Sequence, residues 1–238
     1  MKKLDELYRG KAKKVYYTDD SDILWLEYTD ALTAGDGDKV GSEQDKGKLN
    51  NKISALLFDY LKEQGVNNHF VKQVSENEML VKKVEILPVE VVVRNYAAGS
   101  ICRRLGLEQK MEMPFPLLEF FYKNDDLKDP LINKEHIRLM NLATEEQVDK
   151  MEKITLKVNE VLKKFFDDIN VVLVDYKLEF GVTNDGELIL SDEISPDTCR
   201  LWDKDTMESL DKDIFRQDKG SVTDKYTEIF NRIKGRLS

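Results

Sequence analysis

The chain has 238 residues, enough for one large domain or two smaller lobes with a substantial core. Hydrophobic residues make up 41% and aromatic residues 9%, which is typical of a globular protein and excludes extensive disorder. The formal net charge is −9, from 37 basic and 46 acidic residues. This balance argues against a nucleic-acid-binding protein, whose affinity depends on a broad basic surface. It does not exclude small anionic substrates, because a local cluster of lysine and arginine can still bind phosphate.

The chain is expected to be cytoplasmic and not bound to a membrane. No apolar run approaches the roughly 20 residues needed to span a bilayer, and the lysines near the N-terminus are not followed by the apolar core of a signal peptide. Cys102 and Cys199 form no CxxC motif, which favours reduced thiols over a disulfide or a zinc site. His69 and His136 lie in unrelated contexts, so we assign them surface or packing roles.

The first 85 or so residues predict short strands and one helix, from alternation, turn residues and one apolar stripe. The stretch over residues 30–47 holds four glycines and many charges, and therefore reads as a loop. In chain order the predicted elements are a strand pair over residues 8–18, a strand over 23–28, the loop over 30–47, a helix over 48–64, and strands over 70–74 and 79–84.

Pro88 marks the expected boundary between an N-terminal, mainly antiparallel β lobe (residues 1–86) and a C-terminal α+β lobe (residues 87–238). The second lobe opens with a β-branched run over residues 89–95, which is typical of a buried strand. The later elements are a short helix from residue 100, a long helix from the capping box Thr144–Gln147 to about residue 168, a hairpin, and two helices within residues 204–237. This order predicts an α+β fold without a Rossmann-type βαβ run.

The hairpin is the most informative segment. Read as a strand, its first half places Asp175, Lys177 and Glu179 on one face. Asp185-Gly186 is a strong signal for a two-residue type I′ turn. Counting back from that turn puts Glu179 opposite Asp192.

Two facing carboxylates predict a cation between them, because like charges directly opposite destabilise a sheet. Mg²⁺ is the natural candidate, since it takes oxygen ligands and usually arrives with nucleotide phosphates. The alternative is an exposed polar strand face with ordinary Lys–Glu pairs. One strand face carries Asp175, Lys177 and Glu179, and Arg200 is nearby. This combination favours a functional site over an ordinary exposed face.

A second polar group surrounds Gly10. Lys11 and Lys13 are expected on one strand face next to this glycine, which would let backbone N–H groups approach a phosphate. The segment is not a Walker A loop and is closer to the glycine hairpin that covers ATP in kinases. Taken alone, the signal is weak, because lysines on exposed strands are usually only solvated.

A third group follows the buried strand of the second lobe. Arg94 emerges from that strand, and Ser100 is predicted to cap the short helix that comes next. Arg94 and Arg200 could then hold one phosphate through paired N–H groups. The alternative, that Arg94 pairs with a structural carboxylate such as Glu90, is the less favoured one.

These segments occur in the order seen in a known family. They are YRGKAKKVY, TAGDGDK, KLNNK, LVKK, LPVEVVVRNYAAGS, LVDYKLEFG, LSDEISPDTCRLW and DKDIFRQ. Together they cover essentially the entire chain, and it resembles the phosphoribosylaminoimidazole-succinocarboxamide synthases (SAICAR synthetases) of the short bacterial type. The loop departs in carrying Thr33-Ala34-Gly35-Asp36, where many relatives have Ser-Ala-Phe-Asp.

The resemblance implies a homodimeric ligase of purine biosynthesis that uses ATP and Mg²⁺. Its substrates would be L-aspartate and 5-amino-1-(5-phospho-D-ribosyl)imidazole-4-carboxylate (CAIR), and the CAIR carboxylate would be phosphorylated before the aspartate amine displaces phosphate. The implied fold is an N-terminal lobe like that of kinases or ATP-grasp proteins, packed on a second α+β lobe.

The resemblance also implies roles for individual residues. The ATP phosphates would lie at Gly10, Lys11, Ala12 and Lys13; the adenine at residues 80–83, including Val81 and Lys82; Mg²⁺ at Glu179 and Asp192; the sugar phosphate at Arg94, Ser100 and Arg200; and the imidazole carboxylate near Asp175 and Lys177, under a loop containing Asp36.

Two other functions are compatible with parts of the pattern. A small-molecule kinase would use the same ATP and Mg²⁺ groups, but neither an HRD nor a DFG string is present. A nucleotide-binding regulatory protein without chemistry would have little use for the acid–lysine–acid strand and both arginines.

Overall fold

The computed structural model describes residues 1–34 and 39–237 and contains two main antiparallel sheets. The elements of the first part are β1 (Lys3–Arg9), β2 (Lys13–Thr18), β3 (Ile23–Tyr28), β4 (Ala31–Ala34), β5 (Lys39–Ser42), α1 (Lys46–Glu63), β6 (Phe70–Gln73) and β7 (Glu78–Lys82). Five of these strands form the first sheet in the order β1-β2-β3-β7-β6, and β4 pairs with β5 separately.

The second sheet has six strands in the order β10-β9-β8-β11-β12, with β13 also paired to β11. The elements of this part are β8 (Glu85–Tyr96), α2 (Ser100–Leu105), β9 (Glu112–Tyr122), β10 (Leu131–Ile132), α3 (Lys134–Leu139), α4 (Glu145–Asp167), β11 (Val171–Val182), β12 (Leu188–Ser191), β13 (Cys199–Asp203), α5 (Asp213–Arg216) and α6 (Val222–Leu237). The predicted α+β class is confirmed.

One apolar core joins the two sheets. In β8 the side chains of Val89, Val91 and Val93 are buried in that core, and the alternate residues point to the opposite face of the sheet. The apolar stripe of α4 covers the core side, and the predicted capping box at Thr144 and Gln147 is formed in both directions. Each fully buried valine or leucine stabilises the fold by about 1.5–3 kcal/mol. The face of β8 turned away from α4 is thereby left for polar side chains.

The two sheets are joined by two residues only, between the end of β7 at Lys82 and the start of β8 at Glu85. The expected lobe boundary after residue 86 therefore lies inside β8, and Pro88 lies within the strand. The core also contains residues from both sides of that boundary. The division into lobes stays a prediction. Within the described ranges, no helix is long and apolar enough to cross a membrane.

The loop predicted over residues 30–47 is wrong, because it contains β4, β5 and the start of α1. The glycines of this stretch predicted a loop, but glycine also occurs where two backbones approach closely. Gly47 lies in the first turn of α1, where the end of β3 passes so closely that a Cβ would lie 2.9 Å from the carbonyl oxygen of Tyr28. Leu32 of β4 is buried against α6, so this strand is fixed by a distant helix rather than by its own pattern.

The hairpin turn is also different from the prediction. It has three loop residues, because the N–H of Thr183 donates to the carbonyl of Glu187 at 2.9 Å. Gly186 has φ +86, as the last residue of a three-residue hairpin loop often does. The register is therefore shifted by one residue, and Glu179 pairs with Ser191 instead of Asp192.

The predicted tail of two helices is confirmed, although the first of them, α5, is a single turn.

Candidate active site

The site lies at the middle of β11, where pairing with one neighbouring strand ends and pairing with another begins along the same edge. β8 pairs along one edge of β11, and on the other edge β13 pairs with its first half and β12 with its second half. The loop over residues 192–198 joins β12 to β13 and therefore passes the middle of β11. There the N–H of Lys177 donates to the carbonyl of Thr198 at 3.0 Å.

Two acids and three lysines meet at this point. Lys177 contacts Glu179 and also lies 3.5 Å from a carboxylate oxygen of Asp192. Lys13 reaches across from the first sheet and contacts Asp192. Lys123, directly after β9, contacts Glu179. Glu179 and Asp192 thus share Lys177 as a partner, and both sheets contribute cations to the cluster.

Asp192 reaches this cluster although the predicted register is wrong. It is the first residue after β12, and its φ of +64 turns the chain out of the strand direction. An aspartate is among the few residues other than glycine that adopt this conformation. This turn brings the Asp192 carboxylate toward Lys177. The alternation of side chains in a regular strand would not predict that contact.

The charges in this cluster reinforce one another. Burial opposes the charge of Lys177, but the adjacent acids, Glu179 first among them, raise its pKa well above its usual value. The pKa of Lys13 is raised in the same way, mainly through Asp192. Burial would raise the pKa of Asp192, but Lys13 and Lys177 outweigh it and hold that pKa well below its usual range. Lys13, Lys177 and Asp192 therefore stay ionised at neutral pH.

The donor set fits a hard divalent cation. Glu179 and Asp192 offer carboxylate oxygens, and Mg²⁺ is usually bound by one or two carboxylates together with phosphate and water. The side chain of Lys123 is 43% exposed, so it can move into solvent and leave the Glu179 carboxylate to bind a cation. In the described part of the chain, no group of three His, Cys, Asp or Glu side chains is arranged to hold a metal without such additional ligands.

The predicted arginines form a second cluster at the start of β11. Arg94 is buried, and its guanidinium contacts Glu119 at 2.6 Å, Asp175 at 3.0 Å and the hydroxyl of Ser100 at 3.2 Å. Arg200 contacts the same Asp175 carboxylate at 2.8 Å. Asp175 therefore lies between two guanidinium groups and offsets the repulsion between them. All four predicted residues, and Glu119 in addition, are brought together.

The alternative partner of Arg94 is not Glu90, which binds Lys177 at 2.9 Å. Arg94 does pair with structural carboxylates, but they are Glu119 and Asp175. The predicted cap is also different, because Ser100 is the first helical residue and Gly99 precedes it with φ +65. A Cβ on Gly99 would lie 2.5 Å from the guanidinium of Arg200, so both the backbone angle and the close approach require glycine.

The residues predicted to bind ATP phosphates surround the turn from β1 to β2. Gly10 closes this turn by donating its N–H to the carbonyl of Lys13 at 2.8 Å. Lys11 and Ala12 lie in the turn, so Lys11 is not on the strand face predicted for it. Its ammonium is exposed and contacts Asp125 at 2.7 Å.

The residues predicted to hold adenine lie at the end of β7. Val81 is buried and paired on both sides, with Leu24 of β3 and Phe70 of β6. The N–H of Lys82 donates to the carbonyl of His69 at 2.7 Å. The N–H of Lys82 and the backbone of Val81 are thus already paired within the protein. The adenine assignment stays a prediction. Asp36 lies outside the described residues.

Several members of the site were not predicted. Glu193 lies 3.7 Å from Lys13, and Glu119 supports Arg94. Glu119 did carry a signal, because a single acid within the apolar run LLEFF needs a buried partner. Lys123 also lies against the site, where it contacts Glu179.

A buried lysine forms a further ionic group behind the site. Lys46 of α1 is 0% exposed and contacts Asp197 at 2.6 Å and the carbonyl of Ala31 at 2.7 Å. The same carboxylate accepts hydrogen bonds from Asn50 at 2.8 Å and from the hydroxyl of Tyr226 at 2.6 Å. This group fixes α1, α6 and the loop after β12 to one another.

Two neighbouring acids next to Arg200 have opposite pKa shifts. Burial, and then the charge of Asp213, raises the pKa of Asp211 to about 7. Burial would raise the pKa of Asp213 as well, but Arg200 and Arg216 outweigh it and lower that pKa. Asp211 accepts the backbone N–H groups of Leu201 and Asp213, each at 2.7 Å.

We expect Asp211→Asn to change how stability depends on pH. Between the unfolded pKa near 4 and the folded value of about 7, the native protein binds the extra proton, so wild-type stability falls as pH rises through this interval. The asparagine has no such titration. The melting temperature of the variant minus that of the wild type should therefore increase from pH 5 to pH 8, measured by circular dichroism. A difference that is flat with pH would contradict the assignment.

A cleft of about 730 Å³ lies elsewhere, between the start of β8 and helices α3 and α4. None of the predicted site residues lines it. The polar clusters on β11, and not this cleft, are therefore the candidate active site.

The fold and the site define an enzyme that acts on anionic, phosphate-bearing substrates. The family model described as SAICAR synthetase matches residues 6–233, and the chain belongs to the SAICAR synthetase family. A phosphoribosylaminoimidazole-succinocarboxamide synthase of Thermoanaerobacter sp. (strain X514) is 55% identical over 235 residues, which cover 99% of this chain and 100% of that protein.

Solved structures agree with this membership. The synthase of that name from Ehrlichia chaffeensis has a TM-score of 0.94 and 38% identity, covering 97% of this chain and 98% of its own. A SAICAR synthetase (Type-2) in complex with ADP has a TM-score of 0.93 and 46% identity, covering 96% of this chain and 97% of its own. The resemblance seen in the sequence is thereby confirmed.

Proposed function

We propose that this protein is an ATP-dependent ligase that joins L-aspartate to the carboxylate of CAIR, giving SAICAR, ADP and phosphate in purine biosynthesis. The observation that carries the proposal is the pair of charged clusters on β11 in a chain of this family. One cluster is suited to phosphoryl transfer and the other to a sugar phosphate. Its relatives carry the name of this synthase, and one solved relative is a complex with ADP.

The spacing of the clusters suits one elongated substrate. Asp175 and Glu179 are four residues apart on a strand, which corresponds to about 13 Å. A sugar phosphate held by Arg94 and Arg200 would then direct the imidazole ring along β11. The CAIR carboxylate would meet Lys177, whose ammonium contacts Glu179 and Asp192 in the first cluster.

The reaction has two group transfers. A carboxylate oxygen of CAIR attacks the γ-phosphorus of ATP, the bond to the β-phosphate oxygen breaks, and ADP leaves. The amine of L-aspartate then attacks the carbonyl carbon of the resulting acyl phosphate. The carbon–oxygen bond breaks, phosphate leaves with the bonding electron pair, and the new amide nitrogen loses its extra proton.

The residues of this chain act mainly through position and charge. Lys13 and Lys177 offset the negative charge of the reacting phosphate and carboxylate, and their raised pKa values keep both protonated. Asp175 holds the two arginines side by side. Mg²⁺, bound by Glu179 and Asp192, would supply further neutralisation of phosphate charge.

The nucleotide contacts belong to the same proposal. Gly10, Lys11 and Ala12 form a turn next to Lys13, which supports a role for this turn over the ATP phosphates. The adenine is assigned to the end of β7, at Val81 and Lys82, where the first sheet connects to the second. Asp36 is assigned to closing the site over its substrates.

The cellular setting is also part of the proposal. A cytoplasmic location agrees with the use of ATP and with the two free cysteines. A homodimer rests on the family resemblance alone.

Release of ADP tests the proposed function directly. Purified protein with Mg·ATP and CAIR is expected to release ADP rapidly only when L-aspartate is added, with SAICAR formed in equal amount. The rate is followed in a coupled ADP assay, and the product by mass spectrometry. ADP release at the same rate without L-aspartate, with a phosphorylated product, would instead identify a kinase. No turnover under any of these conditions would refute the ligase.

A further inference from the structure

Two acids flank the arginine cluster, one at each end. Glu119 accepts a hydrogen bond from Nε of Arg94 at 2.6 Å. At the other end, Asp213 accepts a hydrogen bond from Nε of Arg200 at 2.9 Å. Between the arginines, Asp175 accepts from Nη1 of both, at 3.0 Å and 2.8 Å respectively. The two guanidinium groups are therefore held in the same way, by an outer acid at Nε and by a shared acid at Nη1.

The remaining nitrogen of each guanidinium, Nη2, lies at the same turn. Nη2 of Arg94 donates to the hydroxyl of Ser100 at 3.2 Å. Nη2 of Arg200 is the atom that a Cβ on Gly99 would approach to 2.5 Å, and it makes no hydrogen bond among those of the described residues. Each Nη2 carries two N–H donors, so both arginines keep donors for a ligand at the Gly99-Ser100 turn.

The outer acids determine where these donors point. The guanidinium is planar and its donors have a fixed geometry, so holding two of its nitrogens fixes the direction of the third. Each outer acid also binds a second, exposed arginine, which is Arg104 for Glu119 and Arg216 for Asp213. An exposed arginine that loses such a partner is solvated by water, so substituting an outer acid mainly affects the buried arginine.

We propose that Asp213 is a positioning residue for phosphate recognition, which holds Nε of Arg200 and so directs Nη2 of that arginine toward a phosphate at the Gly99-Ser100 turn. Glu119 has the same role toward Arg94. This inference rests on the proposed function, in which these arginines hold the sugar phosphate of CAIR. Asp213 itself does not touch the substrate.

A positioning role and a purely electrostatic role predict opposite effects of removing this acid. Asp213 is a negative charge beside an anion site, so its removal alone would strengthen the binding of a phosphate. Loss of the correct orientation of Arg200 would weaken it. Asp213→Ala removes both the charge and the acceptor for Nε, whereas Asp213→Asn removes the charge and keeps an oxygen that can accept from Nε. The two variants therefore separate the roles.

The experiment measures the binding of CAIR, and of the CAIR nucleoside that lacks the phosphate, by isothermal titration calorimetry. Asp213→Ala is expected to bind CAIR about 10-fold or more weakly than wild type, because a charge-assisted contact to the phosphate is lost. Its binding of the nucleoside should be unchanged. Its KM for CAIR should rise by the same factor, while kcat and the KM for ATP change by less than about 2-fold.

Asp213→Asn should bind CAIR at least as tightly as wild type. If Asp213→Ala does not fold, Glu119→Ala and Glu119→Gln give the same comparison at the other outer acid.

Asp203→Ala is the matched control. Asp203 lies on β13 with Arg200 and pairs with Arg232 at 2.7 Å, and its side chain is 14% exposed, against 12% for Asp213. This variant should lower the melting temperature and leave the binding of CAIR unchanged.

Four results would overturn the inference. They are binding of CAIR by Asp213→Ala as tight as that of wild type, an equal loss in Asp213→Asn, an equal loss in Asp203→Ala, and an equal loss for the nucleoside. Wild-type protein that binds CAIR more tightly than the nucleoside but forms no SAICAR would refute the proposed ligase and leave the positioning role intact. No binding of CAIR by the wild type would refute both.

Discussion

Glu179→Gln is expected to give a folded protein whose kcat is lower by about 10²–10³-fold or more. The substitution preserves the volume of the side chain and removes one negative charge from the two carboxylates assigned to Mg²⁺. Lys177 keeps Asp192 and Glu90 as partners, so it is not left as an unpaired charge and the fold is expected to be retained. The measurement is aspartate-dependent ADP release at several Mg²⁺ concentrations, with circular dichroism to establish folding.

Glu187→Gln is the control for this substitution. Glu187 lies on the same hairpin, outside the charged clusters, and its carboxylate accepts a hydrogen bond from Asn67 at 2.6 Å that glutamine can retain. This variant should keep wild-type turnover. Near-normal turnover of Glu179→Gln would exclude Glu179 as a ligand of an essential cation.

Arg94→Lys is expected to abolish most activity although the positive charge is kept. The guanidinium donates from Nε to Glu119, from Nη1 to Asp175 and from Nη2 to Ser100. The single ammonium of lysine lacks this planar set of donors and cannot contact all three residues at once. Hydrogen bonds to charged groups contribute about 1.5–3 kcal/mol each. Losing the proposed bond to the sugar phosphate is therefore expected to raise KM for CAIR by about 10-fold or more, and losing a bond to Glu119 or Asp175 lowers the free energy of unfolding.

Arg103→Lys serves as the comparison, because Arg103 is exposed on the neighbouring α2. It should leave both KM and the denaturation midpoint within error of wild type. The steady-state KM for CAIR and the urea midpoint are measured for both variants. An Arg94→Lys enzyme with unchanged KM for CAIR would show that the planar fork is not used for this substrate.

Much of the fold was predictable because several elements are locally self-consistent. The strand over residues 23–28 was predicted with its observed bounds, and the capping box at Thr144 fixed the start of α4. The strands β4 and β5 were missed because each has four residues and Leu32 is held by α6, far along the chain. Asp185-Gly186 fits both a two-residue and a three-residue loop, and only the hydrogen bond from Thr183 to Glu187 distinguishes them.

The site was predictable where its residues share one strand. The alternation of Asp175, Lys177 and Glu179 follows from the period of a strand, and the pairing of Arg94 beside Asp175 confirms that the two strands place them on one face. The contact of Lys13 with Asp192 joins residues 179 positions apart and requires the packing of one sheet on the other.

Lys46 has a consequence for how this protein folds. Its ammonium lies in the first half of the chain, but its only described carboxylate partner, Asp197, is 151 residues away. An ammonium in a dry interior without its counter-ion is strongly destabilising, by roughly 3–5 kcal/mol. Helix α1 therefore cannot reach its final position until the segment after β12 has been synthesised and has packed against it. The N-terminal half thus depends on the C-terminal half for its own stability, and the two are expected to unfold in a single cooperative transition.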